Sequence, residues 1–162
     1  MDTTRPRELN KQYDAGLISE DEFLEGIHEL TGKHLVQIEK MPGNEVIKNT
    51  KLLAYIRTLK PQYKIGLLSN IGTDWITDSF LNSEEQALFD DMVFSHNVSM
   101  TKPDPRIFEL ACERLSVEPG QAALIDDIDS YCAAARQVGM QTVVYQDFQQ
   151  FKRELEQILT HS

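Results

Sequence analysis

The chain has few cysteines and no long apolar run, and both shortages narrow the kind of protein it can be. Its only two cysteines, Cys112 and Cys132, lie in helix-like segments without the spacing of a metal site. No apolar stretch approaches the roughly 20 residues that span a bilayer, and the polar start MDTTRPRELN lacks the apolar core of a signal peptide. We therefore expect a cytoplasmic protein with reduced, buried thiols and no membrane partner.

Basic residues are also in the minority. The 16 lysines and arginines are outnumbered by 26 aspartates and glutamates, which gives a formal net charge of −10. This balance argues against a nucleic-acid partner, because phosphate backbones are bound by an excess of positive side chains. The 162 residues suffice for one domain with a core and a small appendage, and a hydrophobic content of 41% is ordinary for a globular protein.

Residues 1–60 have the pattern of successive helices. Ser19 and Glu22 have the spacing of a capping box at the start of one helix, which Gly32 can end. Thr50 is expected to cap the next helix. We therefore expect this part of the chain to form a separate helical region.

After Pro61 the pattern changes to short apolar segments that alternate with helical ones. The segments YKIGLLSN, DMVFS, QAALID and TVVY are bounded by polar residues, as buried strands are. We expect helices at 74–81 and 84–89, after Asp104 and Pro105, before Gly139 and after Asp147. Alternating strands and helices indicate βαβ units, so residues 61–162 are expected to form an α/β domain with a parallel sheet.

Polar side chains follow three of the predicted strands. Ser69 and Asn70 end the first strand, Lys102 comes shortly after the second, and Asp126 and Asp127 end the third. Ligands of open parallel sheets bind at the carboxyl ends of the strands. These groups could therefore hold a phosphate and Mg²⁺, which prefers oxygen ligands. Taken alone, the Ser-Asn pair could form a turn, the lysine could be solvated, and the two aspartates could cap a helix. The order and spacing of the three together favour a binding site.

The same segments resemble a known family. IGLLSN, TKPDPRIF and ALIDDIDSYCAAARQVGM are similar to the second, third and fourth motifs of the haloacid dehalogenase superfamily, and they occur in the family's order. The similarity runs from about residue 63 to residue 159. The helical part with YDAGLISEDEF resembles the small helical cap of the phosphatase-like branch. That branch includes glucose-1-phosphate phosphatase-like and epoxide hydrolase N-domain-like members.

The resemblance implies a Mg²⁺-dependent phosphatase acting on small phosphomonoesters, with a small phosphorylated metabolite as its partner. Ser69 would hydrogen-bond the transferring phosphoryl group, and Asn70 would assist it. Lys102 would neutralise the charge of the phosphoryl group and of the nucleophile. Asp127 would bind Mg²⁺ directly, with Asp126 as a second acidic partner. These roles suit phosphoryl transfer, which depends on positioning and on charge stabilisation.

Two positions depart from the family's pattern. Tyr131 stands four residues after Asp127, where the family commonly has Asp or Asn, and Asp129 is a candidate for a partial substitute. His96 lies in the loop before Lys102, which lacks the glycine often found there. For this histidine, we favour a solvated loop position over a functional one.

The larger departure concerns the nucleophile. Family members begin with a strand that ends in Asp-x-Asp, where the first aspartate is the nucleophile and the second is the general acid/base. No such segment precedes the helical region in this sequence, and the only Asp-x-Asp is Asp127-Ile128-Asp129. A permuted chain built on that triplet is disfavoured, because the helix that follows matches the family's fourth motif.

In the family the missing strand is central. The resemblance therefore implies a Rossmann-like core without its first strand, in which unpaired N–H and C=O groups face a gap. Three explanations are open: a fragment or truncated chain, a strand supplied by a second chain in a dimer or in trans, or a sheet closed into a non-catalytic variant. As written, the chain is expected to turn over little or no substrate.

Two further functions compete with this interpretation. A non-catalytic binding or regulatory module would keep the phosphate and metal residues without turnover. A phospho-receiver domain also uses an acidic pair and a lysine, but its acidic pair comes before the lysine. Here Lys102 precedes Asp126, which counts against a receiver domain.

Overall fold

A computed structural model describes residues 4–32 and 46–160. The strands are β1 Gly66–Ser69, β2 Asp91–Phe94, β3 Ala123–Asp126 and β4 Gln141–Val144. The helices are α1 Thr4–Asp14, α2 Glu20–Thr31, α3 Thr50–Leu59, α4 Ser83–Gln86, α5 Ser95–Val98, α6 Pro105–Arg114, α7 Asp129–Gln137 and α8 Phe148–Thr160, with a π-helical turn at Ile76–Phe80 and a 3-10 turn at Pro119–Gln121. The predicted α/β class is confirmed. Within the described ranges, no helix has the length and apolar character needed to cross a bilayer.

The four strands form two separate parallel pairs. β1 pairs with β2, so that Ser69 lies opposite Phe94, and β3 pairs with β4, so that Asp126 lies opposite Val144. Among the described residues, no strand connects the two pairs. β1 and β3 therefore each keep one edge without a strand partner in this part of the chain, as expected for a core without its central strand.

Helices cover both faces of the strands. Along β3, Leu124 belongs to a cluster with α6 and α7, in which Ile107 and Phe108 are fully buried. The neighbouring Ile125 belongs to a second cluster, formed by α3 and α8 around Val143. Because successive side chains of a strand point to opposite faces, the two clusters lie on opposite sides of the strands. Strands buried on both faces are typical of parallel sheets, which explains their continuous apolar runs.

Both cysteines lie inside this core. Cys112 and Cys132 are free and buried. Burial raises the pKa of both thiols, since desolvation disfavours the thiolate. The expectation of buried, unpaired thiols is confirmed.

The helices α1 and α2 pack against each other before the first strand. The rings of Tyr13 and Phe23 stack with centroids 4.2 Å apart. The predicted capping box is present: Ser19 accepts from the Glu22 N–H, and the Glu22 carboxylate accepts from the Ser19 N–H. Gly32 ends α2 at φ 68°, a left-handed conformation that glycine adopts without a steric penalty.

Several predicted boundaries need correction. Asn49, not Thr50, caps α3, because the Asn49 side chain accepts the Leu52 N–H. The helix expected at 74–81 is only the π-helical turn, and the one expected at 84–89 is the four-residue helix α4. Asp104 caps α6 with Pro105 at its first position, and the Asp147 carboxylate accepts N–H groups at the start of α8, both as predicted.

Candidate functional site

The carboxyl ends of β1 and β3 converge on one buried lysine. The Lys102 Nζ donates to Asp126 Oδ2 at 2.5 Å and to the Leu68 carbonyl oxygen at 3.2 Å. The exposed fractions of the Lys102 and Asp126 side chains are only 9% and 7%. The ammonium therefore links the ends of two strands that share no backbone ladder, in surroundings where solvent screens the charge poorly.

Asn70 fixes the loop that carries this lysine. Its Oδ1 accepts the Lys102 N–H at 2.8 Å, and its Nδ2 donates to the Lys102 carbonyl at 2.9 Å. The amide thus pairs with both main-chain groups of one residue. The sequence placed Asn70 and Lys102 at the same end of the sheet, but it did not reveal that the first positions the second.

Ser69 closes β1 beside Asn70. Within residues 4–32 and 46–160, its hydroxyl has no hydrogen-bond partner, whereas the Asn70 amide is fully engaged. A hydroxyl at a strand end can donate to an anion or accept from one of its protons. Of these two neighbours, Ser69 is therefore the one whose side chain is open to a ligand.

The two acids at the end of β3 differ in their surroundings. Asp126 is held by Lys102 through one oxygen, and its Oδ1 accepts the Ile128 N–H at 2.9 Å. Asp127 is exposed to solvent. One carboxylate is thus neutralised by an internal partner, and the other faces outward.

This donor set fits Mg²⁺ only as a partly protein-bound ion. Among the described residues, no group of three or more His, Cys, Asp or Glu side chains could hold a metal. Mg²⁺ commonly binds through one or two carboxylates together with phosphate oxygens and water. Asp127, with Asp126 behind it, meets that minimum requirement, whereas a closed protein cage would need more carboxylates.

Tyr131 occupies the position where the resemblance led us to expect Asp or Asn. Its Oη accepts from Asn70 Nδ2 at 3.3 Å, and its ring centroid lies 5.1 Å from Lys102 Nζ. Burial raises the pKa of Tyr131, and the carboxylates of Asp126, Asp14 and Asp127 add to that rise, while the Asn70 hydrogen bond opposes it. The residue therefore supplies a neutral phenol and a ring face for the ammonium.

Asp14 is a site neighbour that the sequence analysis missed. It ends α1, and its carboxylate is close enough to contribute to the raised pKa of Tyr131. Burial raises the pKa of Asp14 itself. The Ser95 hydroxyl donates to the Asp14 carbonyl oxygen, so the end of α1 is fastened to the end of β2. No local pattern marks such a residue, because only tertiary packing brings α1 to the strands.

His96 is not the solvated loop residue that the sequence suggested. It lies in α5, and its side chain is only 15% exposed. Its Nδ1 is 3.0 Å from the Ile71 carbonyl oxygen, and its Nε2 is 3.2 Å from Asp74 Oδ1. Gly16 approaches the His96 backbone at φ 66°, where a Cβ would lie 3.0 Å from the His96 oxygen. His96 therefore joins the loop after β1 to the region where α1 ends.

Comparison with known proteins gives this geometry a family context. Residues 9–145 match the family model described as haloacid dehalogenase-like hydrolase. The chain is 28% identical over 160 residues to the D-ribitol-5-phosphate phosphatase of Bacteroides thetaiotaomicron, covering 92% of this chain and 77% of that protein. It is 29% identical over 133 residues to bifunctional epoxide hydrolase 2 of Sus scrofa, covering 78% of this chain but only 23% of that protein.

Two solved structures have a similar fold. A haloacid dehalogenase family enzyme of Bacteroides thetaiotaomicron, in complex with magnesium and inorganic phosphate, superposes with a TM-score of 0.67 at 26% identity, covering 90% of this chain and 87% of that one. A HAD-like hydrolase of Porphyromonas gingivalis superposes with a TM-score of 0.75 at 26% identity, covering 93% of this chain and 78% of that one.

Removal of one partner of the buried ion pair should destabilise the fold strongly. Lys102→Met would leave the Asp126 carboxylate buried without a counter-charge, and we expect the free energy of unfolding to fall by about 3–5 kcal/mol. The double variant Lys102→Met/Asp126→Leu should lose clearly less than the sum of the two single variants. Urea denaturation measures all three. If the losses of the two single variants add up to that of the double variant, Lys102 and Asp126 are not coupled. The control is the exposed pair Lys152–Glu156 on α8, for which we expect a coupling energy of about 0.3–0.5 kcal/mol.

The raised pKa of Asp14 predicts a pH dependence. The folded state binds the proton of the Asp14 carboxyl more tightly than the unfolded state does. The protonated carboxyl therefore contributes its full stabilisation below the ordinary pKa of 3.8. This stabilisation is lost as the pH rises through the pKa of Asp14 in the folded protein. Asp14→Asn should therefore be more stable than the parent at pH 7, with a flatter profile above pH 3.8. Thermal unfolding across pH tests this. The control is Glu8→Gln, an exposed change on the same helix, which should not alter the dependence of stability on pH. If Asp14→Asn has the same pH dependence as the parent, the prediction is refuted.

Proposed function

Because the chain belongs to the haloacid dehalogenase-like hydrolases, we propose that it carries the phosphate-binding part of a Mg²⁺-dependent phosphatase site for small phosphomonoesters. The observation that carries the proposal is the Lys102 ammonium, held between the ends of β1 and β3, where Ser69 is the last residue of β1. A relative named as a sugar-alcohol phosphate phosphatase, and a neighbour crystallised with magnesium and phosphate, support the same chemistry.

Each site residue has a proposed role that its surroundings allow. Ser69 donates its hydroxyl proton to a phosphoryl oxygen. Lys102 offsets the negative charge of the phosphoryl group, and Asn70 assists by fixing the main chain of Lys102. A fixed cation of this kind stabilises charge on the transferring group without reorganising during the reaction.

Asp127 is the residue proposed to hold Mg²⁺, with Asp126 as its second acidic partner. When bound, Mg²⁺ would neutralise charge on the phosphoryl oxygens. Because Asp126 also pairs with Lys102 and Tyr131 stands where the family commonly has Asp or Asn, the affinity of the protein alone for the ion should be low. Phosphate oxygens and water would complete its coordination.

The helices α1 and α2 are proposed to select the substrate as a cap within residues 1–60, while residues 61–162 hold the chemistry and α3 packs against the strands. Asp14 at the end of α1 is a described residue of that region whose charge helps to raise the pKa of Tyr131. Two free, buried thiols are consistent with a reducing, cytoplasmic location. A second chain, in a dimer or in trans, is one proposed source of the central strand.

The lack of a recognisable nucleophile in the sequence argues against turnover by this chain. The 162 residues contain no Asp-x-Asp before the helical region, and loss of a covalent nucleophile generally abolishes turnover. The alternative function is therefore a non-catalytic phosphate- and metal-binding module. This alternative needs only the Ser69 hydroxyl and the Lys102 ammonium, which could bind an anion without a nucleophile.

Hydrolysis of p-nitrophenyl phosphate with Mg²⁺ should be negligible for this chain. Calorimetry should nevertheless detect inorganic phosphate binding that strengthens with Mg²⁺. Lys102→Met should weaken this binding about tenfold or more, because a hydrogen bond to a charged group is lost. Lys152→Met, at an exposed position on α8, is the matched control.

Two results would overturn this account. Robust turnover that disappears in Asp127→Asn would refute the expected inactivity and support a permuted or a trans-complemented site. Absence of phosphate binding in the parent chain, with the fold intact by circular dichroism, would remove both the phosphatase and the binding-module interpretations.

A further inference from the structure

Both ring nitrogens of His96 face hydrogen-bond acceptors. Its Nδ1 lies 3.0 Å from the Ile71 carbonyl oxygen, and its Nε2 lies 3.2 Å from Asp74 Oδ1. A carbonyl oxygen and a carboxylate oxygen both accept, whereas a neutral imidazole has only one N–H to donate. The neutral ring would therefore leave a bare nitrogen against an oxygen, and only the imidazolium form satisfies both contacts.

Burial makes this requirement strict. Only 15% of the His96 side chain is exposed, so solvent cannot readily supply a donor that the ring lacks. Polar groups in such surroundings are paired, because an unpaired one costs its desolvation free energy. The positions of the ring and of its two acceptors are therefore those of a cation between a carbonyl group and a carboxylate.

The charged groups on the elements that meet at His96 include the counter-ion that such a cation needs. Among residues 4–32 and 46–160, Asp74 in the loop after β1 is the charged side chain in direct contact with the ring. The last turn of α1 adds Asp14 and the exposed Lys11, and α5 carries no other charged residue. β2 contributes Phe94, whose ring stacks on the imidazole with centroids 6.2 Å apart.

Ile71, the first acceptor, belongs to the loop that carries the site residues. It follows Asn70, whose amide pairs with both main-chain groups of Lys102. The Ile71 N–H donates to Ser95 Oγ at 2.8 Å, so α5 holds both main-chain groups of Ile71 as well. The position of Asn70, and through it that of Lys102, therefore depends on the contacts that α5 makes with Ile71.

The end of α1 packs against the same loop and the same helix. A Cβ on Gly72 would lie only 2.5 Å from the Tyr13 ring, so that ring covers the main chain of the loop. The Ser95 hydroxyl donates to the Asp14 carbonyl oxygen. The loop after β1 is thus held between α1 and α5, and His96 lies where a change of charge reaches both the proposed cap helices and the strand end.

We propose that His96, as an imidazolium, is a positioning residue of the anion site formed by Ser69 and Lys102, and that it couples anion binding to pH. When the ring gives its second proton to solvent, it can no longer hold Ile71 and Asp74 together, and the loop loosens. Imidazole groups change charge between about pH 5 and pH 8, so anion binding should be strongest at the acidic end of this range and weaken as the pH rises. This role rests on the proposed function, because it concerns the same anion site.

Nitrogen nuclear magnetic resonance of the whole chain, with labelled histidine rings, measures the protonation directly. At about pH 6, both ring nitrogens of His96 should be protonated. The amides of Asn70, Ile71 and Gly72 should shift at the same pH as the ring, because its proton holds their loop. In Asp74→Asn the counter-charge is absent, so the ring should lose its proton at a lower pH than in the parent.

Calorimetry with inorganic sulfate measures the coupling to the site. Sulfate is the probe because its charge, unlike that of phosphate, stays constant over this range. The parent should bind sulfate about fivefold more weakly at about pH 8 than at about pH 6, which is the lower end of typical couplings between sites. His96→Gln should bind weakly at both values, with its circular dichroism unchanged. His28→Gln, at an exposed position on α2, is the matched control and should keep the pH dependence of the parent.

Three results would contradict this inference, and they separate its failure from that of the proposed function. A His96 ring with one bare nitrogen at about pH 6 would show that no imidazolium holds the loop. Sulfate binding with the same pH dependence in the parent and in His96→Gln would leave the anion site intact but refute the role of His96. Absence of both sulfate and phosphate binding at every pH would remove the proposed function, and with it the site that His96 positions.

Discussion

The Lys102 ammonium is the interaction on which the geometry of the site depends. It reaches the last part of β1 through the Leu68 carbonyl and the last residue of β3 through the Asp126 carboxylate. These two strands have no ladder between them in the described part of the chain. Asn70 holds the Lys102 main chain, and Tyr131 offers its ring to the ammonium. The polar end of the open sheet is thus organised around one cation, because a buried charge must be surrounded by acceptors.

The centre of the sheet has the opposite character. Below Lys102, the two pairs are separated by apolar walls and by edges that lack backbone partners. Each pair is still well supported, since the two clusters beside β3 bury Phe108 on one face and Phe151 on the other. The four strands can therefore form although no strand lies between β1 and β3. Packing against the helices on both faces holds them in place, more than backbone hydrogen bonds across a continuous sheet do. Family membership and the phosphate-binding proposal are consistent with such a core.

The sequence predicted those features that depend on local patterns. Short apolar runs located all four strands, and their polar ends located Asn70, Lys102 and Asp126 close together. Capping residues such as Ser19 and Asp104 act locally and were also predicted correctly.

Features that depend on tertiary contacts were missed. Asp14 and His96 become relevant only when the end of α1 docks beside β2. The turn at Ile76–Phe80 forms no ordinary helix, and the Gln86 amide donates to the carbonyls of Thr77 and Leu81 around it. The different environments of Asp126 and Asp127 depend on Lys102, which lies far from both in sequence.

The central claim is that β1 and β3 are separated by an open position in the sheet. Amide hydrogen exchange of the unliganded chain, followed residue by residue by nuclear magnetic resonance at low protein concentration, tests it most directly. Leu67 and Leu124, whose amides face β2 and β4, should be protected, whereas Gly66, Leu68, Ala123 and Ile125 should exchange much faster. Equal protection of both sets would contradict the account, because it would mean that the two strand pairs have closed into one sheet.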